Sequence, residues 1–303
     1  MNQKLPNFLI VGAPKCGTTS IASYLSQHPQ IYLSPIKEPK FFSAQIIQFP
    51  LRGPGDSFVE NFTVKTFDEY QKLFLNAQAE MAIGEASVDN LFYYSKVIPL
   101  IKNQLGDVKI IVILRNPADR AFSSYKNMLR DSRETLTFEE GLQIEEYRKK
   151  MGYEYLWGYL ETGFYYEQVK AYIESFSNVK VLILEHYEKN SLELFKTIYD
   201  FLGVDPGFKP KPSVQLNVSG RPRNRFIQRL FKPTAFKGKI YKMLAMRGIH
   251  LDRLMQFVER FRRNNIEPIH MDTGTRKYLN SVYQPDIRKL QRLLNVDLCT
   301  WIR

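Results

Sequence analysis

Short apolar runs recur along the chain, and between them apolar residues return at three- and four-residue spacing. Phe8-Leu9-Ile10-Val11 ends in Gly12 and reads as a buried strand. Lys109-Ile110-Ile111-Val112-Ile113-Leu114 is almost unbroken in its apolar character, as a parallel strand covered on both faces must be. Val179 to Leu184 repeats that pattern, and Met81 to Gly84 is a weaker strand candidate. The intervening spacing predicts helices over 18–26, 67–75, 94–105, 118–129, 138–148, 167–176 and 192–202. Strands alternating with helices specify an α/β fold with a central parallel sheet and crossover helices.

The pattern changes after Gly203. Residues 205–212 are rich in Pro, Lys and Gly, and Ser219-Gly220-Arg221-Pro222-Arg223 reads as a basic loop. Helical spacing then resumes over 237–246, 251–261 and 275–282. No long linker intervenes. The expectation is one domain over 1–303, with a core at about 7–203 and a helical elaboration at about 204–303.

Charge changes the picture more than composition does. The 303 residues are 44% hydrophobic and carry a formal net charge of +12, which favours anionic partners. Arg221, Arg223, Arg225, Arg229, Lys232, Lys237, Lys239, Lys242, Arg247, Arg260, Arg262 and Arg263 crowd a region with few acids. They read equally as a solvated face or as a surface for an anionic acceptor or a membrane. Cys16 and Cys299 are the only cysteines and lie far apart, so a disulfide framework is not expected. The four histidines show no ligand spacing, and no metal site is expected. The run at 8–11 is too short for a signal-peptide core or a membrane span, so a cytoplasmic protein is expected.

The chemistry concentrates after two strands. Gly12 and Gly17 have the spacing of the nucleotide-binding P-loop, and backbone N–H groups of such a loop converge on an anion. Thr18 follows Gly17, however, and the lysine lies inside the loop at Lys15. The strand at 109–114 runs into Arg115, where a nucleotide kinase needs a carboxylate to hold Mg²⁺. A second anionic group held by a cation fits this better than a metal.

Pro14-Lys15-Cys16-Gly17-Thr18-Thr19 resembles the 5′-phosphosulfate loop of sulfotransferases that use 3′-phosphoadenosine 5′-phosphosulfate (PAPS). Leu114-Arg115-Asn116-Pro117 through Arg120 and Ser123 to Tyr125 resembles their 3′-phosphate motif. His28-Pro29, Glu38-Pro39-Lys40-Phe41-Phe42, Asn116-Pro117-Ala118-Asp119-Arg120-Ala121 and Gly163-Phe164-Tyr165 bring the pattern nearest to the heparan sulfate sulfotransferases and their bacterial relatives.

The resemblance implies a P-loop-like three-layer α/β fold and sulfuryl transfer from PAPS, with adenosine 3′,5′-bisphosphate as product. The acceptor is a hydroxyl or amine, with an anionic sugar or glycolipid among the candidates and nucleic acid not among them. Lys15 would neutralise the departing 5′-phosphate, with Cys16, Gly17, Thr18 and Thr19 lining the same loop. Arg115 and Ser123 would hold the 3′-phosphate, with Arg120 as scaffold, and Gly220 and Arg221 match a late cofactor-binding segment. Arg115 has an alternative reading as an ion-pair partner of Asp119.

Glu38 is implied as the general base, its pKa raised by burial against Phe41 and Phe42. Glu85 is the rival base. Members of the family often carry a lysine where this chain has Ala86, and Lys40 can partly replace that charge. Tyr165, in an aromatic cluster running from Tyr153 to Tyr166, is expected to be part core and part acceptor wall. A P-loop nucleotide kinase and a non-catalytic polyanion-binding module are the alternatives.

Overall fold

A computed structural model describes residues 4–187, 190–211, 220–224, 234–247 and 264–302. The helix expected over 251–261 lies outside the described residues, as do Arg225, Arg229, Lys232, Arg260, Arg262 and Arg263. In chain order the helices are α1 (Thr18–Leu25), α2 (Phe41–Ala44), α3 (Asp56–Phe62), α4 (Phe67–Lys72), α5 (Tyr94–Leu105) and α6 (Pro117–Arg130), followed by α7 (Phe138–Gln143), α8 (Glu145–Lys150), α9 (Tyr166–Ser175), α10 (Ser191–Leu202), α11 (Ala235–Met246) and α12 (Thr273–Leu294). The chain divides into two compact units.

The first unit comprises Met1–Ile47, Thr63–Arg115 and Gln168–Val214. It holds a five-stranded sheet of β1 (Phe8–Gly12), β2 (Ile31–Leu33), β3 (Ala82–Glu85), β4 (Lys109–Leu114) and β5 (Val179–Ile183). The spatial order is β2-β3-β1-β4-β5, and every pairing is parallel. All of β1 is buried, which explains its unbroken apolar run. The strand order reverses direction around β1, so the loops leaving β1 and β4 meet at the switch point where α/β sheets bind ligands. Amphipathic helices flank the sheet. Helix α10, for example, buries Leu194, Phe195, Ile198, Tyr199 and Leu202 on one face.

Two glycines make the sheet possible at this point. A side chain on Gly12 would collide with Leu91, and one on Gly84 would collide with the Phe8 ring. His28, just after α1, is buried and ties this unit to its own C-terminal end. Its Nδ1 accepts from Gln30 N–H at 3.0 Å, so Nε2 carries the proton that it donates to the Asp205 carbonyl, also at 3.0 Å.

The second unit comprises Gln48–Phe62, Asn116–Glu167 and Gln215–Arg303. Here the helix expected over 138–148 breaks at Ile144 into α7 and α8, and Thr137 and Glu140 close a capping box on α7. The helix expected over 275–282 extends to all of α12. Asp272 caps it by accepting from Gly274 and Thr275 N–H, and Leu279, Tyr283, Ile287 and Leu290 continue its buried face past Pro285. Two short strands, β6 (Arg221–Pro222) and β7 (Ile266–Glu267), pair antiparallel.

The core of this unit is ionic as well as apolar. Arg133 bonds to Asp56 and lies 3.3 Å from Glu154, and Trp157 Nε1–H donates to Asp56 at 3.1 Å. Arg148 pairs with Glu134 at 2.8 Å, while the Tyr159 hydroxyl donates to the same carboxylate at 2.7 Å. All of these side chains are buried.

Candidate active site

Three adjacent strands of the first unit deliver the chemistry to one edge of the sheet. β3 ends on Glu85, β1 leads into the loop that carries Lys15, and β4 leads into Arg115. The β1 loop turns sharply, with Lys15 at φ 67° and Gly17 at φ 78°, both in the left-handed region. Gly17 caps α1 without any side-chain hydrogen bond, so the first N–H groups of α1 are not served by a cap side chain. That arrangement suits an anion. Thr18 is buried, Thr19 is half-buried, and Cys16 is fully buried with its thiol turned to the Pro14 carbonyl. The cysteine therefore shapes the loop.

Glu38 and Lys40 also adopt the left-handed region, at φ 58° and 57°. A non-glycine residue held there costs about 1–3 kcal/mol, and such residues cluster at functional sites. Lys40 is held by its surroundings. Its N–H donates to the Ser87 hydroxyl at 2.9 Å, and its ammonium lies 3.5 Å from Asp89 and 3.9 Å from Glu38. Ser43 in turn donates to Asp89 at 2.6 Å. Lys37 closes on Glu38 from the other side at 2.7 Å.

The Glu38 carboxyl departs from the sequence expectation. Burial does push it up, but Lys37, Lys40 and Lys15 together outweigh burial and hold it below the usual carboxylate value. Phe41 and Phe42 stack instead into an aromatic core with Tyr70. Glu38 keeps 20% of its side chain exposed, so it is an ionised carboxylate within reach of solvent. The influence of Lys15 on it also places the loop lysine and the glutamate in one electrostatic site.

Glu85 is the opposite case. It is 1% exposed, and burial, reinforced by the charges of Asp89 and Glu38, pushes it up to about 8. It is therefore neutral at pH 7 and has no lone charge with which to take a proton. Ser87, Asp89 and Ser43 join the site without a motif of their own: Ser87 and Asp89 alternate with Ala86 and Val88 after β3, and Ser43 follows two phenylalanines.

The remaining candidates belong to the second unit, apart from Arg115, which is half-buried at the end of β4. Ser123 is half-buried on α6, whereas Ser124 turns inward to the Leu156 carbonyl. Asn116 caps α6, and Asp119 pairs with Arg276 at 2.6 Å. Arg120 is fully buried and donates to the Tyr159 carbonyl, which is the scaffold role expected of it. Gly220 is packed so tightly on Glu267 that a side chain would not fit. Arg221 is exposed, and its charge is felt at Tyr125, two residues beyond Ser123. Tyr165 is fully buried against Trp301, so its ring belongs to the core.

Residues 5–214 match the sulfotransferase domain family. The chain belongs to the sulfotransferase family. A crystal structure of a sulfotransferase from Alicyclobacillus acidocaldarius is 34% identical and superposes with a TM-score of 0.79, over 99% of this chain and 100% of that one. Human carbohydrate sulfotransferase 15 is 29% identical over 150 residues, 40% of this chain and 27% of its own length. A mouse bifunctional heparan sulfate N-deacetylase/N-sulfotransferase 2 is 27% identical over 210 residues, 67% of this chain and 22% of its own length. The chain thus spans about a quarter of the length of these curated sulfotransferases. Among the described residues of this family member, no helix is long and apolar enough to cross a membrane.

Proposed function

We propose that this sulfotransferase moves the sulfuryl group of PAPS onto a hydroxyl or amine of a carbohydrate. The observation that carries the reading is Glu38, a carboxylate held ionised by Lys37 and Lys40 and within electrostatic reach of Lys15 in the loop after β1. Bound at that loop, PAPS would supply the sulfuryl group and carry away charge as adenosine 3′,5′-bisphosphate.

The chain's own groups divide the work. Lys15 and the first N–H groups of α1 would hold the 5′-phosphate end and stabilise the negative charge that grows there. The sequence motif assigns Arg115 and Ser123 to the 3′-phosphate, and Gly220 and Arg221 to the cofactor without naming the group they hold. Glu38 takes the proton that the acceptor loses as it attacks. Lys37 and Lys40 keep Glu38 ionised beforehand, so that it is ready to accept. Positioning and fixed charge then account for most of the rate, as in phosphoryl transfer.

A carbohydrate acceptor is supported by the names of the relatives, and an anionic one by the net charge of +12. The test is incubation with PAPS and a panel of sugars, glycosaminoglycan fragments and glycolipids, read by mass spectrometry. A gain of one sulfuryl group on a sugar is expected. Transfer of phosphate from ATP instead, or no transfer with any sugar, would overturn the reading.

A further inference from the structure

Glu85 sits where no simple reading of the reaction uses it. It ends β3, one strand away from the Lys15 loop, and it is 1% exposed. One oxygen, Oε2, accepts from the Ser87 hydroxyl at 2.8 Å. The same hydroxyl oxygen accepts the Lys40 N–H at 2.9 Å. The other oxygen, Oε1, is buried with no hydrogen-bond partner. A short relay of two bonds therefore runs from a buried carboxyl to the backbone of Lys40.

That backbone is worth holding. Lys40 stands at φ 57°, a conformation that a non-glycine residue leaves unless its surroundings fix it. Its side chain carries the ammonium that lies 3.9 Å from Glu38 and 3.5 Å from Asp89. If the Lys40 backbone relaxes, both distances change together.

We propose that Glu85 is a positioning residue of the reaction, acting on Lys40 and thereby on Glu38 through the Ser87 hydroxyl without touching either substrate. The proposal rests on the reading of Glu38 as the proton acceptor. The protonation state of Glu85 agrees with the role. The groups that face it are Ser87, Asp89 and Glu38, together with the hydroxyls of Tyr70 on α4 and Tyr172 on α9. Burial and the two neighbouring carboxylates keep it neutral up to about pH 8. A neutral acid accepts from Ser87 with one oxygen and adds no charge to compete for Lys40. Ionised, it would be a third carboxylate beside a single buried ammonium.

A glutamine has the same shape as a protonated glutamate, with a carbonyl to accept from Ser87 and no charge. The experiment compares Glu85→Gln, Glu85→Ala and Ser87→Ala in the sulfation assay, with adenosine 3′,5′-bisphosphate binding measured by thermal shift. Glu85→Ala and Ser87→Ala are expected to lose about tenfold or more in kcat, in the lower range for a misplaced catalytic group, with nucleotide binding kept. Glu85→Gln should recover most of that loss. The wild type should lose activity as pH rises through about 8, and Glu85→Gln should not.

Two results would overturn the proposal. Wild-type kcat in Glu85→Ala removes the need for positioning, and a Glu85→Gln variant as inactive as Glu85→Ala makes the carboxylate itself the reacting group. Should Glu85→Ala fail to fold, Ser87→Ala carries the same comparison with a smaller change in volume. Glu38→Gln, assayed in parallel, separates the two ideas. Full activity there sinks the base assignment, while rescue of Glu85→Ala by glutamine still reports on the Lys40 relay.

Discussion

The ammonium of Lys40 lies 3.5 Å from the carboxylate of Asp89, and both side chains are almost completely buried. A buried pair of this kind leaves a strongly penalised charge when one partner is removed. Lys40 also reaches Glu38, so a substitution there acts twice. Lys40→Met should remove the cation beside buried Asp89 and lower the melting temperature. It should also move the Glu38 titration upward, because it removes one of the positive charges that hold that carboxyl down. The acid limb of kcat/KM should shift to higher pH by the same amount. An unmoved acid limb would show that Lys40 does not hold Glu38 ionised. Glu38→Gln should lower kcat by about 10²–10⁴-fold with nucleotide affinity nearly intact.

Nucleotide discrimination tests the two phosphate motifs. Adenosine 3′,5′-bisphosphate at about a hundred times its Kd should stabilise the fold by about 2.7 kcal/mol, visible as a rise in Tm. ATP at the same concentration should do much less. Arg115→Ala should erase most of that difference, and Lys15→Ala should weaken binding while cutting kcat by about 10²–10³-fold. Equal stabilisation by both nucleotides would count against the sulfotransferase site as drawn.

Glu85 ties stability to pH with a definite sign. Its folded pKa of about 8 exceeds its usual 4.5, chiefly because it is buried. Between those values the folded chain keeps a proton that the unfolded chain has released, so its contribution to stability falls as pH rises across that window. At about 1.4 kcal/mol per pH unit the full effect amounts to several kcal/mol. Glu85→Gln carries no titrating proton, so its Tm should gain on the wild type from pH 5 to pH 8. Parallel Tm profiles would mean that Glu85 does not titrate in this window.

The second unit should break at Arg133. This guanidinium serves Asp56 and Glu154 at once, beneath Trp157. Arg133→Met would take the cation away from two buried carboxylates, at a cost of about 3–5 kcal/mol. Denaturant unfolding should show the loss directly. A change of under 1 kcal/mol would mean that the carboxylates take up protons instead, which a pH series would reveal.

The sheet was legible because its strands are buried on both faces. Lys109–Leu114 and Tyr94–Leu105 have the bounds expected of them, since a short apolar run rich in β-branched residues favours a buried strand and a sustained 3.6-residue period favours a helix. β2 (Ile31–Leu33), α2 (Phe41–Ala44) and α3 (Asp56–Phe62) were not legible, being three to seven residues long and too short to show a period. The length of α12 was hidden by Pro285, which reads as a stop although a buried face continues beyond it.

The chain by itself determined the parallel α/β sheet and the family, and it nominated Lys15, Glu38 and Arg115, because strand burial and loop motifs are local properties of sequence. Only tertiary structure decided the protonation of the two glutamates. From the sequence, Glu38 beside two phenylalanines is expected to be raised and Glu85 is merely a strand-end acid. In the fold, Lys15 from the β1 loop adds its charge to those of the sequence neighbours Lys37 and Lys40 around Glu38, while Glu85 is closed into the core with Asp89 and Glu38 nearby. A pKa depends on which charges and how much solvent lie within a few ångströms, and that is fixed only when distant segments of the chain pack together.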